Sequence, residues 1–184
     1  MSTISQYERN GFTLIELITV IAIVGTVALF ASSAASAAIN ASRTSNSVSS
    51  LFAALTRARS AAAASAVDVV LCPSSDGFAC ASGYHWEGGW IAFAATHAGS
   101  DRTADEPILL RQQALPPKVH LITSAGRTRV RFQPSGGNAG SNVTFTFCDG
   151  RGAASASAYA MANSGALHAT TADPTYVTSA CASL

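Results

Sequence analysis

Apolar positions divide the first third of the chain into stretches with different patterns. Residues 1–11, MSTISQYERNG, are polar and show no period. From Phe12 the chain turns apolar: Leu14, Ile15, Leu17, Ile18, then Val20 to Phe30 with Gly25 and Thr26 as small interruptions. A run of about 20 such residues matches a helix that spans hydrocarbon. From Ala31 to Val67 there is neither proline nor glycine. Ile39, Val48, Leu51, Phe52, Leu55, Ala58 and Ala62 recur there at helical spacing, which makes one apolar stripe. Arg43, Arg57 and Arg59 fall off the stripe. The pattern predicts a single helix from about Phe12 to about Ala66, roughly 80 Å long. Its first half suits lipid and its second half suits packing on a globular head.

At Asp68 the period changes to that of strands. VDVVLC (67–72) reads as a strand, followed by a turn-rich loop at Pro73, Ser74, Ser75, Asp76 and Gly77. GGWIAFAA (88–95) reads as a second strand, and ILLRQQALP as a short edge segment ended by Pro116 and Pro117. KVHLIT, SAG and RTRVRF read together as a hairpin. NVTFTFCD alternates and reads as a strand, AYAMAN as a weaker one, and SGALHA as a turn into a last short strand. The tail, 170–184, is polar and irregular, held by Cys181. The predicted architecture is α+β: a long N-terminal helix followed by an antiparallel sheet domain.

Composition narrows the function classes. The net charge is +1, so no global field draws the chain to nucleic acid or acidic lipid. Four cysteines, Cys72, Cys80, Cys148 and Cys181, accompany a membrane-targeting segment, which favours disulfides formed in an oxidising compartment. Metal binding is the competing reading, but Cys72 and Cys80 lack the close spacing of zinc ligands, and His168 is the only histidine near the second pair. Of the three connectivities, the local one, Cys72–Cys80 with Cys148–Cys181, is preferred. His85, His97, His120 and His168 show no metal-ligand spacing, and GGNAG (136–140) lacks the lysine and helix of a phosphate-binding loop. No enzyme, metal or cofactor is expected. Trp86 and Trp90 flank EGG; core packing against the helix and contact with a partner subunit are both open to them.

The opening of the apolar run carries the most specific signal. Gly11, then Phe12, then TLIE places Glu16 five residues after the glycine. This resembles the type IV prepilin signal. CPSSDGFAC, GGWIAF, ILLR, RFQPSG, FTFCDGRG and the late NSG extend the likeness to the FimT/GspH group of minor pilins and pseudopilins, over residues 11 to about 168. The resemblance implies a leader at 1–11, a transmembrane and assembly helix at 12–33, its continuation on the head at 34–66, and a sheet head at 67–184. It implies that a membrane peptidase cuts Gly11–Phe12 and methylates the new amine of Phe12. It also implies a single-pass protein of the bacterial inner membrane, head in the periplasm, that joins other major and minor pilins in a fibre. An ordinary signal peptide is the rival, because SSAASAA (32–38) offers a cleavage site.

A carboxylate in hydrocarbon costs about 2.5–3.5 kcal/mol on insertion scales, so Glu16 needs a partner. Cleavage creates one, the amine of Phe12. In a filament, Glu16 of one subunit would face the Phe12 amine of its neighbour; the bland alternative is a carboxylate that snorkels to the interface. Arg127, Arg129 and Arg131 alternate in RTRVRF, so on a strand they share one face. With Arg151 they are candidates for DNA phosphates, against the plainer reading of a solvated face neutralised by Asp105 and Glu106. Some FimT-type pilins bind DNA through a glycine–arginine–x–arginine motif. At the matching SGALHA, Ala166 follows Gly165 and His168 stands where a second arginine would be, which counts against DNA uptake. The remaining alternative is a pseudopilin of type II secretion.

Overall fold

In the computed structural model, residues 11–97, 99, 101–138 and 140–182 are described, with the side chains of 29–33 outside that set. The chain divides into two units, 1–38 and 39–184. Helix α1 runs Leu14–Ser65, close to the predicted span. It ends at Ala66, whose φ of 55° is the left-handed cap usually given to glycine.

In the first unit, the described apolar side chains of α1 are open: Leu14 is 78% exposed, Ile21 62% and Val27 62%. No helix of the described residues is long and apolar enough to cross a membrane. The expected span 12–33 reaches into residues 29–33, whose side chains lie outside the described set.

The second unit contains two four-stranded antiparallel sheets. Strands β1 (Asp68–Pro73), β2 (Trp90–Ala95), β3 (Ile108–Gln112) and β5 (Val130–Phe132) form one, in the order β3-β2-β1-β5. Strands β4 (Val119–Thr123), β6 (Val143–Asp149), β7 (Ser157–Met161) and β8 (Leu167–Thr170) form the other, in the order β4-β6-β7-β8. The predicted hairpin of KVHLIT with RTRVRF is therefore corrected: β4 pairs with β6, and β5 pairs with β1. Residues 124–129 cross from one sheet to the other. The SAG turn signal is real, since Arg127 N–H donates to the Ser124 carbonyl, but the strands beyond it find other partners.

The predicted stripe becomes the core contact of α1. Leu51, Leu55, Ala58 and Ala62 are buried against Leu71, Trp90, Leu121, Phe132, Phe145 and Phe147. Burying each leucine contributes about 1.5–3 kcal/mol. Ile39 departs from the reading and is 52% exposed. Trp86 and Trp90 are both fully buried, with Trp86 edge-on to Phe145, so core packing is the answer for both.

Strands β1 and β2 are buried almost continuously, where a sheet with one wet face would alternate. Their second face, Val70, Cys72, Ile91 and Phe93, is covered with the help of Cys80 and Ile108. The outer face of the other sheet, at Ile122 and Cys148, is covered by α2 (Pro174–Cys181) through Ala180 and Tyr176. The tail expected to be irregular thus holds a helix. Asp173 caps it by accepting from the Thr175 amide, and Pro174 sits in its first turn.

Candidate assembly site

Gly11 and Phe12 precede α1 and are open. A side chain at Gly11 would meet nothing within 4 Å, and Phe12 is 88% exposed. The helix start follows from TLIE itself. Thr13 Oγ1 accepts from the Glu16 amide at 3.3 Å, while Glu16 Oε2 lies 3.4 Å from both the amide and the hydroxyl of Thr13. This is a reciprocal capping box, which satisfies otherwise orphaned amides of the first turn. The reading of Glu16 above missed this role, although threonine followed three residues later by glutamate is its sequence signature.

The carboxylate also favours the positive end of the helix dipole. Beyond it, Thr19 and Thr26 return their hydroxyls to the carbonyls of Glu16 and Ile23, so the polar atoms of this stretch are turned onto the helix itself. The chain thus presents an open Gly–Phe bond, a capped helix start, and an apolar surface with one carboxylate.

The four arginines singled out in the sequence do not form one face. Only Arg131 lies in a strand; Arg127 and Arg129 belong to the crossing segment. Arg129 Nη2 meets Asp101 at 2.5 Å, and its Nη1 donates to the carbonyls of Ala81 and Thr128. Arg131 pairs with Asp68 at 3.0 Å and donates to the Gly99 carbonyl. The neutralising groups are therefore Asp101 and Asp68, in place of the expected Asp105 and Glu106. Glu106 instead is buried and receives the amides of His97 and Thr103. Burial works against its charge, but those amides outweigh it and hold the carboxyl below its ordinary range.

Arg151 belongs to a structural lock. Its guanidinium straddles the buried carboxylate of Asp149, with Nη2 to Oδ2 at 2.7 Å and Nε to Oδ1 at 2.9 Å. Thr44 Oγ1 of α1 donates to the same carboxylate at 2.5 Å. The Arg151 hydrogen bond, opposed by burial and helped by Thr44, lowers the Asp149 pKa to about 2. A Cβ at Gly150 would lie 2.7 Å from Asn40 Nδ2, the outer end of that side chain, and 3.3 Å from Lys118 Cδ.

The cysteines pair locally. Cys72 joins Cys80, closing the loop that covers the first sheet, and Cys148 joins Cys181, tying α2 to β6. Among the described residues, no three His, Cys, Asp or Glu side chains group as a metal site.

An exposed N-terminal helix continuing into an antiparallel head, behind a Gly–Phe–TLIE start, defines the class of type IV pilin-like subunits. Two family models match: "Type II transport protein GspH" over residues 47–165, and "Prokaryotic N-terminal methylation motif" over residues 8–32. The first spans more than half of the chain, and the chain belongs to the GspH family of minor pilins and pseudopilins.

Among solved structures, two crystal forms of the type IV minor pilin FimU of Pseudomonas aeruginosa strain PAO1 are similar. Their TM-scores are 0.53 and 0.55 at 14% identity; each covers 69% of this chain, and 92% and 87% of its own. At that identity the likeness speaks for the fold alone. The minor pseudopilin EpsH of the Vibrio cholerae type 2 secretion system aligns at a TM-score of 0.47 with 14% identity, over 69% of this chain and 95% of its own. Comparison with curated proteins finds no match.

Proposed function

We propose that this chain is a minor pilin that starts or caps a type IV pilus after its leader is removed. A prepilin peptidase cuts between Gly11 and Phe12 and methylates the Phe12 amine. The apolar start of α1 anchors the subunit in the inner membrane, with the head in the periplasm, where an oxidising environment suits the two disulfides. Other major and minor pilins are its partners. Its role is structural, with no reaction of its own.

The observation that carries this reading is the open Gly11–Phe12 bond directly ahead of the Thr13–Glu16 box. Before cleavage, the Thr13 hydroxyl and amide occupy the Glu16 carboxylate at 3.4 Å, long for a charge-assisted bond. After cleavage, the amine of Phe12 on a neighbouring subunit offers a full positive charge. In a low-dielectric surrounding, that charge wins over two weak local donors and fixes the axial register of the subunits. The test is assembly of Glu16 variants in cells that make the native fibre, followed by counting this chain in sheared fibres.

A second reading, a pseudopilin of type II secretion, is favoured by the description of the matching family. It keeps the same cleavage and the same Glu16 chemistry and changes only the neighbours. A DNA-binding role would require Arg129, Arg131 and Arg151 to release Asp101, Asp68 and Asp149.

A further inference from the structure

The chain enters the head at Ile39, and three segments bring cations to that point. From α1, Arg43 donates through Nη1 to the Pro117 carbonyl at 3.4 Å. From the turn before β4, Lys118 shares the space above Gly150 with the Asn40 side chain. From the turn after β6 comes Arg151, next in sequence to Gly150. Lys118 and Arg151 are exposed and Arg43 is half-buried. The carboxylate within this cluster, Asp149, is buried and already neutralised by Arg151. No ion pair among the described residues engages Arg43 or Lys118, so both remain as net charges on the patch.

The backbone of Lys118 is a second, independent observation. Val119 N–H donates to the Pro116 carbonyl, with Pro117 and Lys118 between them. That is the pattern of a type II turn, in which proline suits the second position and glycine the third. Lys118 occupies the third position at φ 65°, in the left-handed region. A strained exposed lysine where glycine would relax the turn points to a side chain in use.

The reach of the chain says what lies opposite. The span expected at 12–33 ends six residues before Ile39. Six residues extend at most about 20 Å, so the entry point of the head is tethered that close to the hydrocarbon. Headgroups fill about the first 5–7 Å of that distance. Charge attraction carries across about 8 Å more, and long basic side chains suit phosphate oxygens.

We propose that this patch rests the head on the anionic phosphates of the inner-membrane surface before assembly, with Arg43 and Lys118 as the lipid-facing cations. The inference rests on the membrane-anchoring part of the assembly reading. It adds a resting contact that incorporation into a fibre must break.

The experiment uses the full chain, reconstituted alone in vesicles of phosphatidylcholine with or without phosphatidylglycerol. A fluorescent residue replaces Ala153, two positions after Arg151, or Ala125, beyond the far end of β4; both are exposed. The lipids carry a headgroup quencher. Quenching at position 153 should be strong in the anionic vesicles, weak in the neutral ones, and lost in high salt; position 125 should stay bright in all. Lys118→Gly should keep or raise the melting temperature, because the turn prefers glycine. It should nevertheless lower the ratio of docked to free heads about fivefold, the worth of one basic residue near an anionic surface. Arg43→Gln should act alike, and the two changes should multiply.

Equal quenching of position 153 in neutral and anionic vesicles overturns the proposal, as does unchanged quenching in the folded variants. Quenching that rises with protein density assigns the patch to a second copy and overturns it too. A third reporter at Ile21, read with an acyl-chain quencher, separates the two readings. An unquenched Ile21 sinks the anchor and the proposal together. A quenched Ile21 with a bright position 153 sinks the proposal alone.

Discussion

The hydroxyl of Thr44, on α1, donates to the carboxylate of Asp149, at the end of β6, across 105 positions of sequence and within a buried contact of 2.5 Å. Arg151 holds the same carboxylate from the other side. Helix and sheet are thus joined by a charge that has left water only because donors surround it.

Removing the charge should expose that dependence. Asp149→Asn is expected to lower stability by about 2–4 kcal/mol, since Arg151 loses its partner and Thr44 a strong acceptor. Thr44→Val should cost less, about 1–2 kcal/mol, because Arg151 still satisfies the carboxylate. Urea titrations of the two variants give the comparison, and equal losses would show that the hydroxyl matters as much as the ion pair.

Acid should act at the same place. The folded Asp149 pKa is depressed from 3.8 to about 2. Its contribution is therefore full above pH of about 4 and disappears as pH falls toward 2, a difference of about 2 kcal/mol. Melting temperatures of the unaltered protein should drop through that window. Asp149→Asn should show a shallower drop; an identical slope would place the acid sensitivity elsewhere.

Gly89 is a point where sequence identity and space are tightly linked. Its φ is 106°, and a Cβ there would lie 2.4 Å from the Gln112 carbonyl oxygen. Gly89→Ala must move the start of β2 away from the end of β3. A loss of roughly 2 kcal/mol or more is expected from strain and overpacking together. Gly83→Ala is the control: its φ is 96°, but a Cβ would meet nothing within 4 Å, so it should cost less. Thermal melts of the two variants rank the effects.

The disulfides should differ in weight. Cys148–Cys181 closes a separation of 33 residues and Cys72–Cys80 one of 8. In the chain-entropy model these are worth roughly 4 and roughly 2.5 kcal/mol. Double serine variants of each pair, unfolded in urea, should show the larger loss for the longer loop. The longer one also frees α2 from the outer face of β4 and β6, which adds to the difference.

Much of this fold was legible in the sequence because its signals are local. The absence of proline and glycine and the spacing of Leu51, Leu55, Ala58 and Ala62 were enough to place α1 and its buried face. Sheet partnership was not local. Val130–Phe132 looks like the return of a hairpin, yet it pairs with β1, some 60 residues earlier, and nothing in RTRVRF announces that. Once the strand moved, Arg127 and Arg129 left the shared face that alternation had given them. Two omissions were readable after all: Asp173 followed by Pro174 marks the start of α2, and Thr13 with Glu16 spells a capping box. The groove between α1, the loop after β5 and the turn between β7 and β8 could not be read, because only the fold brings those three segments together.

Processing at Gly11 is the claim on which the assembly account stands, and the mature N-terminus tests it most directly. Intact-mass and N-terminal peptide analysis of the membrane-extracted protein should find a chain beginning at Phe12 with one added methyl group on its amine. A chain that instead begins near residue 38, after SSAASAA, would mean an ordinary cleaved signal peptide and would contradict the account.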